Sequence, residues 1–359
     1  MSSSKTTFLQ SFKDDFSISL GFSAFGVFGA IRNLDSESLG TKILAGTVFC
    51  LVSSTLFSAA LASAQTWVIP KTKVPSFVLA VVLTALTYLA VILVALPLSI
   101  GLFVAYAAKR PLLSPEVIAL VGTLLRPQII LGAFVLMVSI TFFFMVKKKL
   151  GPGVLENWIL GKYYRPREER RIFMFLDLRN STGLGEELGD MTFSRLIQKF
   201  FADLSGPILK SSGEVSHYIG DEAVLTWKVE KGLKNANCLR FFRLMTEAVD
   251  ANKADYMDEF GVVPEFKAGA HIGSVVATQV GDVKSEIVFH GDVLNTTSRI
   301  QSMCNELGAD FLVSRELADA FATTTEFVLN SVGHHSLKGK GQDVELVRVD
   351  WPREESHSL

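Results

Sequence analysis

The hydrophobic pattern of the chain changes character near residue 150. Four stretches before it carry no charged residue, 16–31, 43–70, 74–108 and 127–146, and each approaches or exceeds the roughly 20 apolar residues that cross a bilayer as a helix. They predict an α-helical membrane domain of about four spans over residues 1–146. The first, Phe16–Ile31, is the weakest: it is short, rich in glycine and serine, and suits the membrane interface as well as the interior. Lys13, Asp14 and Asp15 ahead of it argue against a cleavable signal peptide. The third, Val74–Ala108, exceeds one crossing and contains Pro97, which a tilted or kinked helix accommodates.

Beyond a juxtamembrane stretch, 147–170, strands and helices alternate. Gly151, Pro152 and Gly153 break any helix leaving the last span, so a continuous coiled coil is excluded. Val154–Tyr164 has apolar residues at helical spacing; it reads either as a linker helix packed on the next domain or as a transmitter of movement from the spans. From Arg171 the pattern predicts a buried strand, Arg171–Leu176, ending at Asp177, then a helix capped by Asp190 and running through Leu204. Glu214–Ile219 and Glu222–Trp227 form a hairpin about Gly220 and Asp221. A helix over Leu233–Glu259, strands at Phe266–Ile272 and Val275–Val280, a helix over Asp292–Glu306, and strands at Asp310–Val313 and Val344–Val349 complete an α+β domain over 171–350, with a tail at 351–359.

Charge and composition sharpen this division. Half of the 359 residues are hydrophobic, 49%, and only 20% are charged; the mean hydropathy is +0.34. Residues 1–150 hold 12 Lys and Arg against 5 Asp and Glu, net +7, and the remainder 23 against 31, net −8. Disorder, a disulfide scaffold and a single soluble domain are excluded. Cys50, Cys238 and Cys304 stand alone, so all three are expected reduced and buried, with no structural zinc. Lys147–Lys149, followed by Lys162, Arg165, Arg167, Arg170 and Arg171, place the C-terminal part in the cytoplasm by the positive-inside tendency, with 32–42 and 109–126 facing outward. The spans contain no ionisable residue, which leaves a transporter nothing to build a relay from. Nothing in the chain calls for nucleic acid.

The candidate chemistry lies in four places. Asp177 ends an apolar strand and leads into a polar turn containing Ser181, Thr182 and Gly183; backbone N–H groups at such a turn suit phosphate, and the carboxylate suits a divalent metal. Asp221 lies at the hairpin tip, and two hard oxygen ligands shared with substrate phosphates are what Mg²⁺ takes. Asn295 and Arg299 stand one helical turn apart, where an amide and a guanidinium can hold a ribose and a phosphoryl group. Lys338-Gly-Lys340-Gly341 is a loop with two ammonium groups. Turns select Asp for backbone reasons, and an isolated lysine loop is ordinarily a solvated turn, so each signal alone is weak.

Taken in order, the four resemble the class III nucleotidyl cyclase catalytic domain: Phe175-Leu-Asp177 with its turn, Tyr218-Ile-Gly-Asp221, Gly291-Asp-Val-Leu-Asn295-Thr-Thr-Ser-Arg299, and Leu337-Lys338-Gly-Lys340. The resemblance implies a ferredoxin-like βαββαβ fold and a membrane-anchored enzyme of the bacterial type in the inner membrane. It implies that Asp177, Asp221 and the Leu178 backbone carbonyl bind two Mg²⁺ or Mn²⁺ ions per active site, that Asn295 and Arg299 stabilise the transition state, and that Lys338 contacts the terminal phosphates. It also implies a homodimer in which one copy supplies Asp177 and Asp221 and its partner supplies Asn295 and Arg299. Three positions depart from the family pattern. Asn180 replaces the common glycine of the turn, and tolerates the left-handed conformation. At the two base-selecting positions stand His217 and Val288, neither the adenylyl nor the guanylyl pairing. The expectation is an adenylate cyclase with loose base selection. The alternatives are a guanylate or dual-specificity cyclase and a catalytically inactive nucleotide-binding regulator. A diguanylate cyclase is disfavoured because it would leave Asn295 and Arg299 without a role.

Overall fold

The computed structural model describes isolated positions between Thr47 and Ser63, then residues 76–107, 111–151, 154–283, 285–321, 325–336 and 343–352. The chain divides into two compact units, Met1–Lys149 and Leu150–Leu359.

The described part of the first unit is helical. Helix α1 (Phe77–Ala107) runs 31 residues through Pro97, and α3 (Pro127–Leu150) runs 24. Each contains a segment long and apolar enough to cross a membrane, Phe77–Val94 and Pro127–Lys147. The expected span at 16–31 lies outside the described residues, and that at 43–70 is represented by scattered helical positions. The segment 109–126, expected to face outward, contains a ten-residue helix α2 (Pro115–Leu124). Proline at its first turn pre-sets the helical φ, and ten residues span only about 15 Å, too short to cross.

The second unit opens with α4 (Val154–Ile159), shorter than the helical pattern to Tyr164, because Gly161 turns the chain at φ +60°. Strand β1 (Arg167–Leu178) follows, with α5 (Ser181–Leu188), α6 (Asp190–Asp203), α7 (Ser205–Ser211), β2 (Glu214–Ile219), β3 (Glu222–Lys228), α8 (Val229–Leu233), α9 (Asn237–Ala251), α10 (Lys253–Phe260) and β4 (Phe266–Val280). Then come β5 (Glu286–His290), α11 (Asp292–Glu306), β6 (Phe311–Ser314), α12 (Arg315–Asp319), β7 (Val328–His335) and β8 (Val344–Asp350). The sheet order is β2-β3-β1-β4-β6-β8-β7, with β5 paired to β4. The first four strands are mutually antiparallel where they pair; β1 to β2 and β3 to β4 are helical crossovers that each skip one strand. That is a βαββαβ core, extended by β6 parallel to β4.

The Ile172–Leu176 part of β1 is an unbroken apolar run because both faces of the strand are covered there. Ile172, Met174, Leu176 and Leu178 pack with Leu196, Phe200, Phe242, Met245 and Tyr256 under the α6–α10 layer. Phe173 and Phe175 face the other way, toward Val275, Val293 and Phe289. On that second face α11 crosses β4 closely: a Cβ at Gly269 would overlap the backbone of Gln301, and one at Gly273 would lie 3.1 Å from Val293.

This packing accounts for most departures from the predicted elements. Gly273 and Ser274 do not divide β4, which is one strand of 15 residues; the glycine makes room for α11. The helix predicted over Leu233–Glu259 starts at Asn237, after left-handed Asn235 and Ala236. It breaks at Asn252, whose amide donates to Asp203 at 3.0 Å while Tyr256 Oη donates to the same carboxylate at 2.7 Å. Asp190 is the first residue of α6, and the cap itself is Gly189 at φ 74°.

Candidate active site

The β1 registers with β3 and β4 set Asp177 between Glu222 and Lys267. Cross-strand neighbours share a face, and here it is the face covered by α11. Gln301, from α11, donates Nε2–H to Asp177 Oδ2 at 2.9 Å, and Lys267 Nζ lies 3.5 Å from the same oxygen. Asp221 comes from the β2–β3 turn, held open by Gly220 at φ +60°. Burial raises the Asp177 carboxyl above its ordinary value, and the negative charge of Asp221 and a hydrogen bond with it push the same way, against Lys267 and Gln301. Burial, then the charges of Asp177 and Asp221, push Glu222 up to about 7.

Three acidic groups thus share one ammonium, a deficit of positive charge that suits divalent cations. Among the described residues no group of three or more His, Cys, Asp or Glu side chains is arranged to hold a metal. A carboxylate pair completed by phosphate oxygens and water is the arrangement Mg²⁺ favours. Leu178 is buried with its side chain in the core.

Beyond Asp177 the chain turns through Asn180 at φ 52° and ψ 35°, the left-handed conformation expected of an asparagine there. No side chain caps α5, so its first N–H groups are available to an anion. The Asn180 side-chain amide lies over Gly183, where a Cβ would come within 2.6 Å of it. Ser181 and Thr182 line an open cleft of about 360 Å³ with Asp221, Gly185, Glu186, Asp190 and Phe193. Arg179 is directed away, donating to the Ala309 carbonyl at 2.7 Å and to Asp310 at 2.9 Å.

Asn295 is exposed and Arg299 half-buried on α11, and no hydrogen bond or ion pair joins either to Asp177 or Asp221 among the described residues. His217 is exposed on β2 and Val288 half-buried on β5, opposite Thr278. Lys338 lies outside the described residues. The structure therefore gathers Asp177, Asp221 and the Ser181–Gly183 turn, and Asn295 and Arg299 make no side-chain hydrogen bond or ion pair among the described residues. Sequence reasoning missed Lys267, Glu222 and Gln301. The signal for Lys267 was present, as the single Lys, Arg, Asp or Glu of its strand, one residue from the start.

Residues 164–347 match the family model described as the adenylate and guanylate cyclase catalytic domain. The chain belongs to this family. Over 210 residues it is 32% identical to adenylate cyclase 2 of Rhizobium meliloti (strain 1021), covering 58% of each chain. It is 26% identical over 202 residues to an adenylate cyclase of Anabaena cylindrica, covering 54% of this chain and 38% of that one. The chain thus spans about half the length of these curated relatives. A solved bacterial light-regulated adenylyl cyclase shares the fold, with a TM-score of 0.52 at 16% identity over 63% of this chain and 66% of its own. The class III cyclase domain expected from the four motifs is therefore present.

Proposed function

We propose that the protein is a membrane-anchored adenylate cyclase that converts ATP to 3′,5′-cyclic AMP and pyrophosphate at a site shared by two copies of its catalytic domain. The observation that carries this reading is the meeting of Asp177 and Asp221 beside the uncapped start of α5. The two curated relatives, both named as adenylate cyclases, support the choice of ATP.

Asp177, Asp221 and the Leu178 carbonyl would hold a pair of Mg²⁺ or Mn²⁺ ions, which when bound would acidify the ribose 3′-hydroxyl and neutralise the triphosphate. The protein's own groups do the rest. The N–H groups at Ser181–Gly183 receive phosphate oxygens, with Lys338 reaching the terminal ones. Arg299, from the partner copy, meets the charge that develops on the α-phosphoryl oxygens, and its fixed position on a helix avoids reorganisation as that charge grows. Asn295 orients the ribose. Asn295 and Arg299 make no side-chain hydrogen bond or ion pair within the described residues of their own chain, which supports their serving a second copy.

His217 and Val288 receive the base. An apolar wall separates near-isosteres by only about 1–3 kcal/mol, so GTP is a poorer but accepted substrate. The two long apolar helices support membrane anchoring. In this reading residues 1–146 form a multi-pass inner-membrane domain, 147–170 the linker, and 171–350 a cytoplasmic catalytic domain.

The test is product identification after incubating the full chain with ATP or GTP and Mg²⁺ or Mn²⁺. Cyclic AMP and pyrophosphate from ATP are expected, and a chelator should stop their formation. A preference for GTP in kcat/KM overturns the substrate, and a folded dimer that cyclises neither nucleotide overturns the enzyme reading.

A further inference from the structure

Strand β2 does not alternate regularly. Val215 pairs with Leu225 and His217 with Val224, so one residue on β3 separates what two separate on β2, and Ser216 is the extra residue of a β-bulge. The consequence is visible on both faces. Val215 packs against the helical layer. So does Tyr218, three residues on instead of two, with its ring 4.5 Å from that of Phe201. His217 lies opposite Val224, whose side chain belongs to the cluster of Phe173 and Phe175 on the Asp177 face. In a regular strand the alternation would turn position 217 toward the helices; the bulge re-aims it to the face of the site.

The bulge also brings Ser216 and His217 to the same side, where Ser216 Oγ lies 2.9 Å from His217 Nδ1. This is the only side-chain hydrogen bond either residue makes among the described residues, and Nε2 is left open. Partial desolvation lowers the His217 pKa, against the opposing charge of Glu286, so a neutral ring with one N–H is the form present near neutrality. A neutral imidazole donates from one nitrogen and accepts at the other, and the partner of the first decides what the second offers.

We propose that Ser216 is a positioning residue for base selection: its hydroxyl donates to His217 Nδ1, which fixes the ring proton on Nε2 and presents an N–H donor to the nucleobase. An Nε2–H donor complements the lone pair on adenine N1, whereas at guanine N1 it meets a second N–H. Selection for ATP then depends on which nitrogen carries the proton, and this inference rests on the cyclase reading above.

The experiment uses the full chain, wild type, Ser216→Ala and Ser216→Thr. Steady-state kinetics with ATP and with GTP are measured alongside ¹⁵N-histidine solid-state NMR, with the His217 signals assigned by their loss in His217→Gln. The wild type should show the Nε2–H tautomer. Ser216→Ala should mix the tautomers and lower kcat/KM for ATP by about three- to tenfold, the range of one hydrogen bond, chiefly through KM and with little change for GTP; Ser216→Thr should restore both readouts. A wild-type ring protonated at Nδ1, or a Ser216→Ala protein with an unchanged ATP to GTP ratio, overturns the assignment to Ser216 while the cyclase reading stands. A wild type that cyclises neither nucleotide overturns the cyclase reading and the selection role with it.

Discussion

Arg171 offers the sharpest energetic test of the catalytic unit. Its guanidinium is 2% exposed, and its Nε donates to Glu169 Oε2 at 2.9 Å, one Nη to Glu214 Oε2 at 3.1 Å and the other to Tyr163 Oη at 3.3 Å. It also stacks 4.8 Å from the Phe289 ring centroid. Arg171→Met keeps the bulk and removes the charge, leaving two carboxylates that are 18% and 24% exposed without their shared partner. Removing one side of a buried ion pair costs about 3–5 kcal/mol. Both carboxylates keep some water and Lys162 still reaches Glu169 at 2.7 Å, so the low end, about 3 kcal/mol, is expected. At 1.36 kcal/mol per tenfold, that is roughly a 150-fold loss of protection for β1 amides in native-state hydrogen exchange of the full chain. The triple variant Arg171→Met, Glu169→Gln, Glu214→Gln strands neither carboxylate, leaves only the partly exposed Lys162 without its ion pair, and should recover most of the loss. Protection within about threefold of wild type in the single variant, or a triple variant worse than the single, would refute the reasoning. The network also sets an acid limit. Burial works to raise the Glu169 carboxyl, but hydrogen bonds from Lys162 and Arg171 and the Arg171 charge hold it down to about 2. Its contribution is complete above the unfolded value near 4.3 and is lost as pH falls through about 2, so the stability gap between wild type and Glu169→Gln should close over that window.

Other consequences are open to direct measurement. Asp177→Asn and Asp221→Asn should each abolish turnover and weaken Mn²⁺ binding, read by electron paramagnetic resonance, while the circular dichroism spectrum is retained. Gly269→Ala places a methyl group against the Gln301 backbone, where neither helix nor strand can yield cheaply; a loss of about 1–3 kcal/mol should appear in the denaturant midpoint, with lower activity because α11 carries Asn295 and Arg299. Cys238 and Cys304 are buried, and burial pushes both thiols up to about 12. Neither should be alkylated in the native protein at pH 8, and both should react once it unfolds, as site-resolved mass spectrometry will show.

The elements legible in the sequence were those specified by their own residues. The helix over Asp292–Glu306 was predicted to its ends because its period of 3.6 starts just after a glycine and stops before Gly308. The β2–β3 hairpin followed from Gly220 and Asp221. What stayed hidden depends on partners distant in the chain. The bulge at Ser216 exists only in register with β3, and the capture of Asp177 by Lys267 and Gln301 depends on how β1, β4 and α11 meet. Strands β5 and β7 each pair with a single neighbour, β4 and β8, and their short or polar sequences carry little period-2 signal. Gly273 read as a break since sequence alone does not separate a glycine that turns the chain from one that admits a helix.

The central claim is that two copies build each site, one giving Asp177 and Asp221 and the other Asn295 and Arg299. Co-expression of Asp177→Ala and Arg299→Ala chains tests it most directly. Each variant alone should be inactive, and a mixed dimer has one site with both defects and one with neither. With random pairing half the dimers are mixed, so cyclic AMP formation should return to about a quarter of wild type, by arithmetic on pair counts under the two-fold symmetry of such a dimer. Confirmed mixed dimers that form no cyclic AMP would contradict the shared site.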